Sequence, residues 1–215
     1  MTNLADATLD ELRTALAPAL AQNAAFDGWT TKAIDATADS LGVDRDVARL
    51  AFPDGAMAMI DAWFASIDTA MTGALPPETL AAMKIRARIT ALVEARLQAL
   101  APEREALRRA LAILAMPQNV VAAGKLGWRS ADAMWRAAGD TSTDFNFYTK
   151  RGILAGVYGS TAMRWFNDTS EDEKPTEEFL AARIENVMQF ETLKAQMKTG
   201  FDRFAQAFAH GRKPG

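Results

Sequence analysis

Proline positions divide this chain into segments of helical length. Prolines stand where a helix would end or in its first turn, the positions that tolerate them: Pro53, Pro76, Pro77, Pro102, Pro117 and Pro175. The segments between them are rich in alanine, leucine, glutamate and arginine, which are strong helix formers. No segment alternates apolar and polar residues over the length of a strand. We therefore expect an all-α fold, with helices near 8–24, 30–41, 44–51, 54–73, 77–100, 102–115, 128–138, 143–167, 175–191 and 192–210.

Composition excludes several kinds of catalytic site. The 215 residues include no cysteine, so thiolate nucleophiles, disulfides and thiolate metal sites are absent. The single histidine, His210, cannot build the paired Glu-x-x-His motifs of a helical di-iron site or a three-histidine zinc site. An enzyme that uses His210 in a triad remains a formal alternative. We expect a protein that is not an enzyme and that holds no metal or cofactor.

Residues 29–52 have the spacing of a helix-turn-helix, with Leu41-Gly42-Val43 as the turn. This end of the chain resembles the DNA-binding end of TetR-type regulators. Its charge has the wrong sign for that task, because residues 1–75 hold four basic and eleven acidic residues, a net charge of −7. We expect no nucleic-acid partner and a helix-turn-helix kept for its shape. The alternative is a TetR-type, ligand-responsive transcription regulator.

The segment 140–161 carries glycines at helical spacing. Gly152, Gly156 and Gly159 fall at i, i+4 and i+7 and share one helix face. Each glycine costs about 1 kcal/mol relative to alanine inside a helix. Three such costs on one face indicate that something packs closely there, either another helix or a flat or chain-like ligand.

A second face of the same segment is aromatic. Phe147, Tyr148, Arg151, Leu154 and Tyr158 recur at spacings of three or four residues. Aromatic residues with arginine compose the hot spots of protein interfaces. Aromatic residues of a core have the same pattern when an arginine lays its aliphatic stem along them. A protein-binding surface and a core therefore both remain possible. Thr141 precedes this helix, and Asp144 follows three residues later. The pair predicts a capping box at the helix start in which Asp takes the place of Glu or Gln.

Several motifs together resemble one known family. The longest is Asp-x-Ser-Thr-Asp-Phe-Asn-Phe-Tyr-x-Lys-Arg at 140–151, followed by Leu-Ala-x-Val-Tyr-x-Ser-Thr at 154–161 and preceded by Asp-x-Met-Trp at 132–135. These motifs are similar to those of the ubiquinone-biosynthesis accessory family called coenzyme Q protein nine. The similarity runs over roughly residues 25–190. The family commonly has tryptophan where this chain has Phe147, so the aromatic class is kept.

The resemblance implies a TetR-like helical bundle that binds lipid and is not itself an enzyme. It implies presentation of quinone precursors to the di-iron hydroxylase that acts on demethoxyubiquinone. The bound lipid is expected to be an isoprenoid quinone precursor or a phospholipid. Carried over by position, the partner-binding residues are Met134, Asp144, Asn146, Phe147, Tyr148 and Arg151. Arg151→Glu is expected to abolish hydroxylase binding and leave the fold intact. The expected lipid-binding residues are Trp135, Gly152, Leu154, Gly156, Tyr158 and Gly159.

The last predicted helix, 192–210, has one apolar face within a basic segment. Residues 194–215 contain five bases and one acid. A basic helix with large apolar side chains is typical of a helix that lies in a membrane interface. Docking of this helix onto the protein core is the alternative. The predicted membrane contacts are Leu193, Met197, Lys198, Phe201, Phe204 and Phe208.

These patterns predict three regions. Residues 1–75 would form the degenerate helix-turn-helix region, 76–191 the lipid-binding bundle and 192–215 the amphipathic membrane helix. No run of apolar residues has the length of a transmembrane helix, and the acidic N-terminal residues do not fit a targeting peptide. We expect a cytoplasmic protein, peripheral on the inner face of a bacterial membrane. A homodimer is expected by analogy with the fold.

Overall fold

A computed structural model describes residues 4–187 of the protein, and every regular element in that range is helical. Residues 174–187 are also helical, and three short 3-10 turns precede α1, α7 and α8. The predicted all-α fold is confirmed. The nine α-helices with named bounds are α1 (Leu9–Asp27), α2 (Thr31–Leu41), α3 (Arg45–Leu50), α4 (Ala56–Ala74), α5 (Pro77–Ala81), α6 (Ile85–Leu100), α7 (Arg104–Leu114), α8 (Val120–Ala137) and α9 (Phe145–Phe166).

The chain divides into two units, Met1–Ala162 and Met163–Gly215. The core of the first unit is built from apolar side chains of α1, α4 and α6, such as Leu16, Trp63 and Leu92. Each such side chain contributes about 1.5–3 kcal/mol when fully buried. Its helices therefore associate by burying apolar faces, as expected for an alanine- and leucine-rich bundle.

Helices α2 and α3 form the predicted helix-turn-helix, and α1 precedes it. Thr8 and Glu11 close a capping box at the start of α1. Gly42 adopts a left-handed conformation with φ of 67° at the end of α2, a geometry that favours glycine. Asp44 caps α3 by accepting hydrogen bonds from the amides of Asp46 and Val47. The sequence therefore fixes both sides of the turn through local side-chain chemistry.

Two predicted helices have different bounds in the structure. The single helix expected at 77–100 is two helices, α5 and α6, and Arg88 donates to the carbonyls of Ala81 and Met83 at the break between them. The helix expected at 128–138 begins at Val120, because the 3-10 turn at Pro117–Asn119 leads directly into α8. Gly124 and Gly127 lie inside α8.

The second unit is described as far as residue 187. Asp168 accepts hydrogen bonds from the amide and hydroxyl of Ser170 and from the hydroxyl of Thr176. These hydrogen bonds lower the pKa of Asp168 to about 2. The buried indole of Trp165 donates to Glu173 at 2.9 Å. Together these contacts hold the turn that leads into the helix at 174–187.

Among the described residues, one bent pair of segments reaches the length and apolarity of a membrane span. No single described helix is long and apolar enough to cross a membrane. The segments Ile85–Leu114 and Pro117–Ala137, which meet at 93°, reach that length and apolarity only when taken together. The predicted amphipathic helix at 192–210 and its six membrane contacts lie outside the described residues, as do the bounds predicted for the third region.

Candidate functional site

Helix α9 begins directly after Asp144, which acts as its cap. One carboxylate oxygen of Asp144 accepts from the backbone amide of Asn146 and the other from the Asn146 side chain, each at 3.0 Å. The capping box predicted between Thr141 and Asp144 is therefore corrected, because the helix starts at Phe145 and Asp144 itself occupies the capping position. Asp144 and Asn146 are both exposed.

The first turn of α9 presents aromatic side chains to solvent. Phe145 is 78% exposed and Tyr148 is 62% exposed. The half-buried ring of Phe147 meets Tyr148 edge-on, with 5.1 Å between ring centres. Tyr148 also lies 6.2 Å from the ring of Trp128 on α8. Contiguous exposed apolar groups of this kind mark interaction sites on soluble proteins.

Helix α8 extends this apolar surface. Val121 is 73% exposed and lies seven residues before Trp128, so the two side chains share a helix face. The sequence-based prediction missed this part, because it began the helix at residue 128. The spacing of Val121, Gly124 and Trp128 is the signal that could have found it. We define the α8–α9 surface as Val120, Val121, Trp128, Phe145, Phe147 and Tyr148.

Arg151 lies beneath this surface and is buried, with its side chain only 2% exposed. Its Nε donates to Asp132 Oδ1 at 2.5 Å, and its Nη1 donates to Asp140 Oδ2 at 3.0 Å. Its guanidinium carbon lies 3.6 Å from the centre of the Phe147 ring. Arg151 therefore packs against the Phe147 ring, and the carboxylates of Asp132 and Asp140 fix the position of Arg151.

Both carboxylates are kept ionised by their partners. Burial alone raises the pKa of Asp140, but hydrogen bonds from Lys150, Ser142 and Arg151 outweigh that effect and hold the pKa well below its usual range. Burial likewise opposes ionisation of Asp132, and hydrogen bonds from Arg151 and Arg136 lower its pKa below the ordinary value. The support beneath Phe147 is therefore an ionic network at neutral pH.

The structure corrects the roles of two predicted partner contacts. Met134 is fully buried and Arg151 is 1% exposed, so neither side chain can touch a partner directly in this conformation. The burial of Arg151 argues against the expectation that Arg151→Glu leaves the fold intact, because glutamate would place a third carboxylate beside Asp132 and Asp140. Arg151 supports the surface from inside, Met134 belongs to the core, and Tyr148 remains available for direct contact.

The predicted lipid-binding residues do not share one face. Gly152, Gly156 and Gly159 continue the outer stripe of α9 that begins with Phe145 and Tyr148. A side chain added at Gly156 or Gly159 would meet nothing within 4 Å, and at Gly152 only the Trp128 ring at 4.0 Å. Within the described residues this stripe is therefore open and is not a seam between helices.

The other predicted lipid contacts face inward or bridge two helices. Leu154 and Tyr158 are buried, at 3% and 9% exposure. Trp135 is half-buried on α8, and its indole donates to the carbonyl of Lys150 at 3.0 Å. These three residues hold α9 in place, so among the six only the glycines are open to a ligand.

Tyr158 takes part in a buried polar cluster that the sequence did not reveal. Its hydroxyl accepts a hydrogen bond from Arg96 Nη1, and burial raises the pKa of Tyr158. Arg96 is 1% exposed and also donates to Asp68 Oδ1 at 2.7 Å and to Ser130 Oγ at 2.9 Å. The cluster joins α4, α6, α8 and α9, and it fixes the position of α9 within the first unit.

The helix-turn-helix uses its arginines internally. Arg45 makes two hydrogen bonds with Asp39, at 2.8 and 2.7 Å. Arg49 does the same with Asp35 at the same distances and also contacts Asp46. The hydrogen bonds to Asp39 and Asp35 raise the pKa of each arginine. Both bases of α3 are therefore neutralised within the protein, which leaves no free cation on this helix for a phosphate.

Comparisons with known proteins agree with the motif resemblance. The COQ9 family model matches residues 120–191. The ubiquinone biosynthesis protein COQ9, mitochondrial, of Rattus norvegicus is 33% identical over 186 residues, covering 83% of this chain and 59% of the rat protein. The Homo sapiens protein of the same name is also 33% identical over 186 residues, with 58% of its length covered. This chain therefore spans about three fifths of the length of these curated relatives.

A solved structure shows the same fold. The TetR transcriptional regulator from Nitrosomonas europaea superposes with a TM-score of 0.63 at 24% identity, covering 82% of this chain and 97% of the regulator. At that identity the likeness concerns the fold alone. The predicted TetR-like helical architecture is thereby confirmed.

Proposed function

We propose that this chain, a relative of the COQ9 ubiquinone biosynthesis proteins, is a non-catalytic, lipid-binding accessory protein of ubiquinone biosynthesis. One observation carries the proposal: the outer stripe of α9 begins with two exposed aromatics and continues as open glycines. Such a stripe offers an aromatic docking point next to backbone that a chain-like molecule can approach closely.

The proposed protein partner is the di-iron hydroxylase that acts on demethoxyubiquinone. The α8–α9 surface supports this choice, because aromatic residues over a rigid base are typical of the centre of a protein interface. The network of Arg151 with Asp132 and Asp140 keeps Phe147 fixed before a partner arrives. A preordered surface loses less side-chain entropy on binding, which favours affinity.

The proposed ligand is an isoprenoid quinone precursor or a phospholipid. Gly152, Gly156 and Gly159 support this because they leave the backbone of α9 open at the edge of the aromatic surface. A hydrocarbon chain laid along such a stripe would bury apolar area at about 25 cal/mol per Å². We still predict, from the lack of cysteine and the single histidine, that the protein binds no metal or cofactor.

Membrane association is proposed from the sequence of 192–210 alone. Each basic residue near an anionic surface contributes about 1 kcal/mol of attraction, so the basic segment would add to the apolar contacts. Deletion of 193–215 is expected to abolish flotation of the protein with anionic liposomes. Undiminished flotation would mean that this segment is not the membrane contact. A peripheral location and a homodimer belong to the same proposal.

Lipid extraction tests the proposal. The full chain is purified without detergent, extracted with organic solvent, and the extract is analysed by mass spectrometry. Isoprenoid or phospholipid in stoichiometric amount is the expected result, and a matched preparation of Gly156→Phe should lose most of it, because the phenyl ring would occupy the stripe. A lipid-free wild-type protein that also fails to bind added phospholipid vesicles would contradict lipid binding.

Transcription regulation is not favoured by the structure of the helix-turn-helix. Arg45 and Arg49, the bases of α3, are engaged by Asp39, Asp35 and Asp46. Duplex binding requires basic groups that neutralise phosphates. A salt-dependent gel shift with a promoter fragment would restore the regulator hypothesis.

A further inference from the structure

Two aliphatic side chains of α3 are open to solvent. Leu50 is 64% exposed and Val47 is 39% exposed, and their spacing of three residues puts them on one side of the helix. Leu41, at the end of α2 just before the turn, is 40% exposed. Three aliphatic side chains are therefore presented by one helix-turn-helix motif.

The helix-turn-helix region carries a net negative charge, and both bases of α3 are paired with carboxylates. Residues 29–54 contain five acids and three bases. Arg45 and Arg49 each pair with α2, through Asp39 and Asp35 respectively. Asp44 uses its carboxylate on backbone amides of its own helix, which satisfies hydrogen bonds but leaves its negative charge in place. The remaining base of this region, Lys32, lies at the other end of α2.

Exposed aliphatic side chains beside net negative charge favour a binding partner that is both apolar and basic. We propose that the face formed by Leu41, Val47 and Leu50 docks a partner protein through a segment in which lysine or arginine flanks apolar residues. The apolar side chains would be covered by the partner's apolar residues, and its bases would meet the net negative charge of residues 29–54. Nucleic acid and anionic lipid headgroups carry the same sign as the surface and would be repelled.

The inference is independent of the proposed function, because α3 contributes nothing to the α8–α9 surface or to the glycine stripe. Because Arg45 and Arg49 are paired with carboxylates of the same motif, the exposed helix α3 is available for a contact other than DNA. Charge complementarity would fix the orientation and rate of association, and the aliphatic side chains would supply contact energy.

Nuclear magnetic resonance of the 15N-labelled full chain tests this docking face. The probe is a synthetic peptide of about 18 residues in which leucine and lysine repeat with helical period. We expect amide shifts concentrated at Leu41, Val47 and Leu50, and weakening of the binding when salt is raised to about 0.5 M, where charges are screened. The same peptide with glutamate in place of lysine should not shift these amides.

Matched variants locate the contact. Leu50→Ser should bind the lysine peptide about tenfold more weakly, the loss expected for removing one large apolar contact. Ile85→Ser removes an exposed aliphatic side chain from α6, outside the α8–α9 surface, and should bind the peptide like the wild type. Shifts located elsewhere, or an unchanged Leu50→Ser, would overturn the proposal. Shifts of α3 caused by duplex DNA, by anionic vesicles or by a tenfold higher protein concentration alone would assign the face to another occupant and overturn it as well.

Discussion

The guanidinium carbon of Arg151 lies 3.6 Å from the centre of the Phe147 ring, four residues earlier on the same helix. A desolvated cation–aromatic contact of this kind contributes roughly 2 kcal/mol. The same guanidinium is held by Asp132 of α8 and by Asp140, which precedes α9. Through Arg151, two carboxylates thus determine where Phe147 stands beneath the exposed ring of Tyr148.

Replacement of Arg151 by glutamate is expected to destabilise the whole protein. The change removes a buried cation and leaves two carboxylates facing a third, so the free energy of unfolding should fall by about 3–5 kcal/mol. Urea unfolding followed by circular dichroism measures this. Arg136→Glu is the control, because Arg136 pairs with the same Asp132 but its side chain is 70% exposed. That control should cost no more than about 1 kcal/mol. Equal losses in the two variants would contradict the buried role of Arg151.

Stability should fall in acid through Asp140. Its pKa is lower in the folded protein than the ordinary value of 3.8, so its contribution is complete above that value and is lost as the pH falls below it. The free energy of unfolding of wild type should therefore decrease as the pH falls from about 4 to about 2. Asp140→Asn should be less stable at the higher pH and should show a smaller decrease. An identical decrease in both proteins would show that Asp140 does not carry the effect.

Sequence patterns were sufficient where local chemistry decides the structure. Gly42 marks the turn of the helix-turn-helix, and Pro117 marks the boundary between α7 and α8. Periodicity also grouped Phe147, Tyr148, Arg151, Leu154 and Tyr158 on one side of α9, and Tyr148 is the member that the structure places on the other side. It could not tell whether that side faces solvent or core, because a hot spot and a core have similar compositions. The structure puts Arg151, Leu154 and Tyr158 inside and leaves Tyr148 and the glycines outside.

Long-range polar contacts could not be predicted from the sequence. Asp68 and Arg96 are 28 residues apart, and Arg96 and Tyr158 are 62 apart. Nothing in the local pattern around any of these residues indicates its partner. Burial of Arg96 is compatible with folding only because Asp68, Ser130 and Tyr158 arrive from three other helices. That arrangement is a property of the tertiary structure.

Loss of one member of this cluster should be more harmful than loss of two. Asp68→Leu leaves the buried guanidinium of Arg96 without its carboxylate and should lower the free energy of unfolding by about 3–5 kcal/mol. The double variant Asp68→Leu with Arg96→Met removes both charges and should recover most of that loss. Urea unfolding of the three proteins makes the comparison. A double variant less stable than Asp68→Leu would refute the interpretation that the uncompensated charge causes the loss.

Hydroxylase affinity measures the central claim most directly. The purified di-iron hydroxylase is immobilised, and binding of wild type, Tyr148→Ala and Phe26→Ala is measured by surface plasmon resonance. Phe26 is a matched control, since it is 84% exposed on α1 and outside the α8–α9 surface. We predict that Tyr148→Ala binds at least about thirtyfold more weakly, a hot-spot loss of about 2 kcal/mol, while its unfolding free energy is unchanged. Phe26→Ala should bind like the wild type. Equal affinities of all three proteins would contradict the proposal that this surface presents the protein to the hydroxylase.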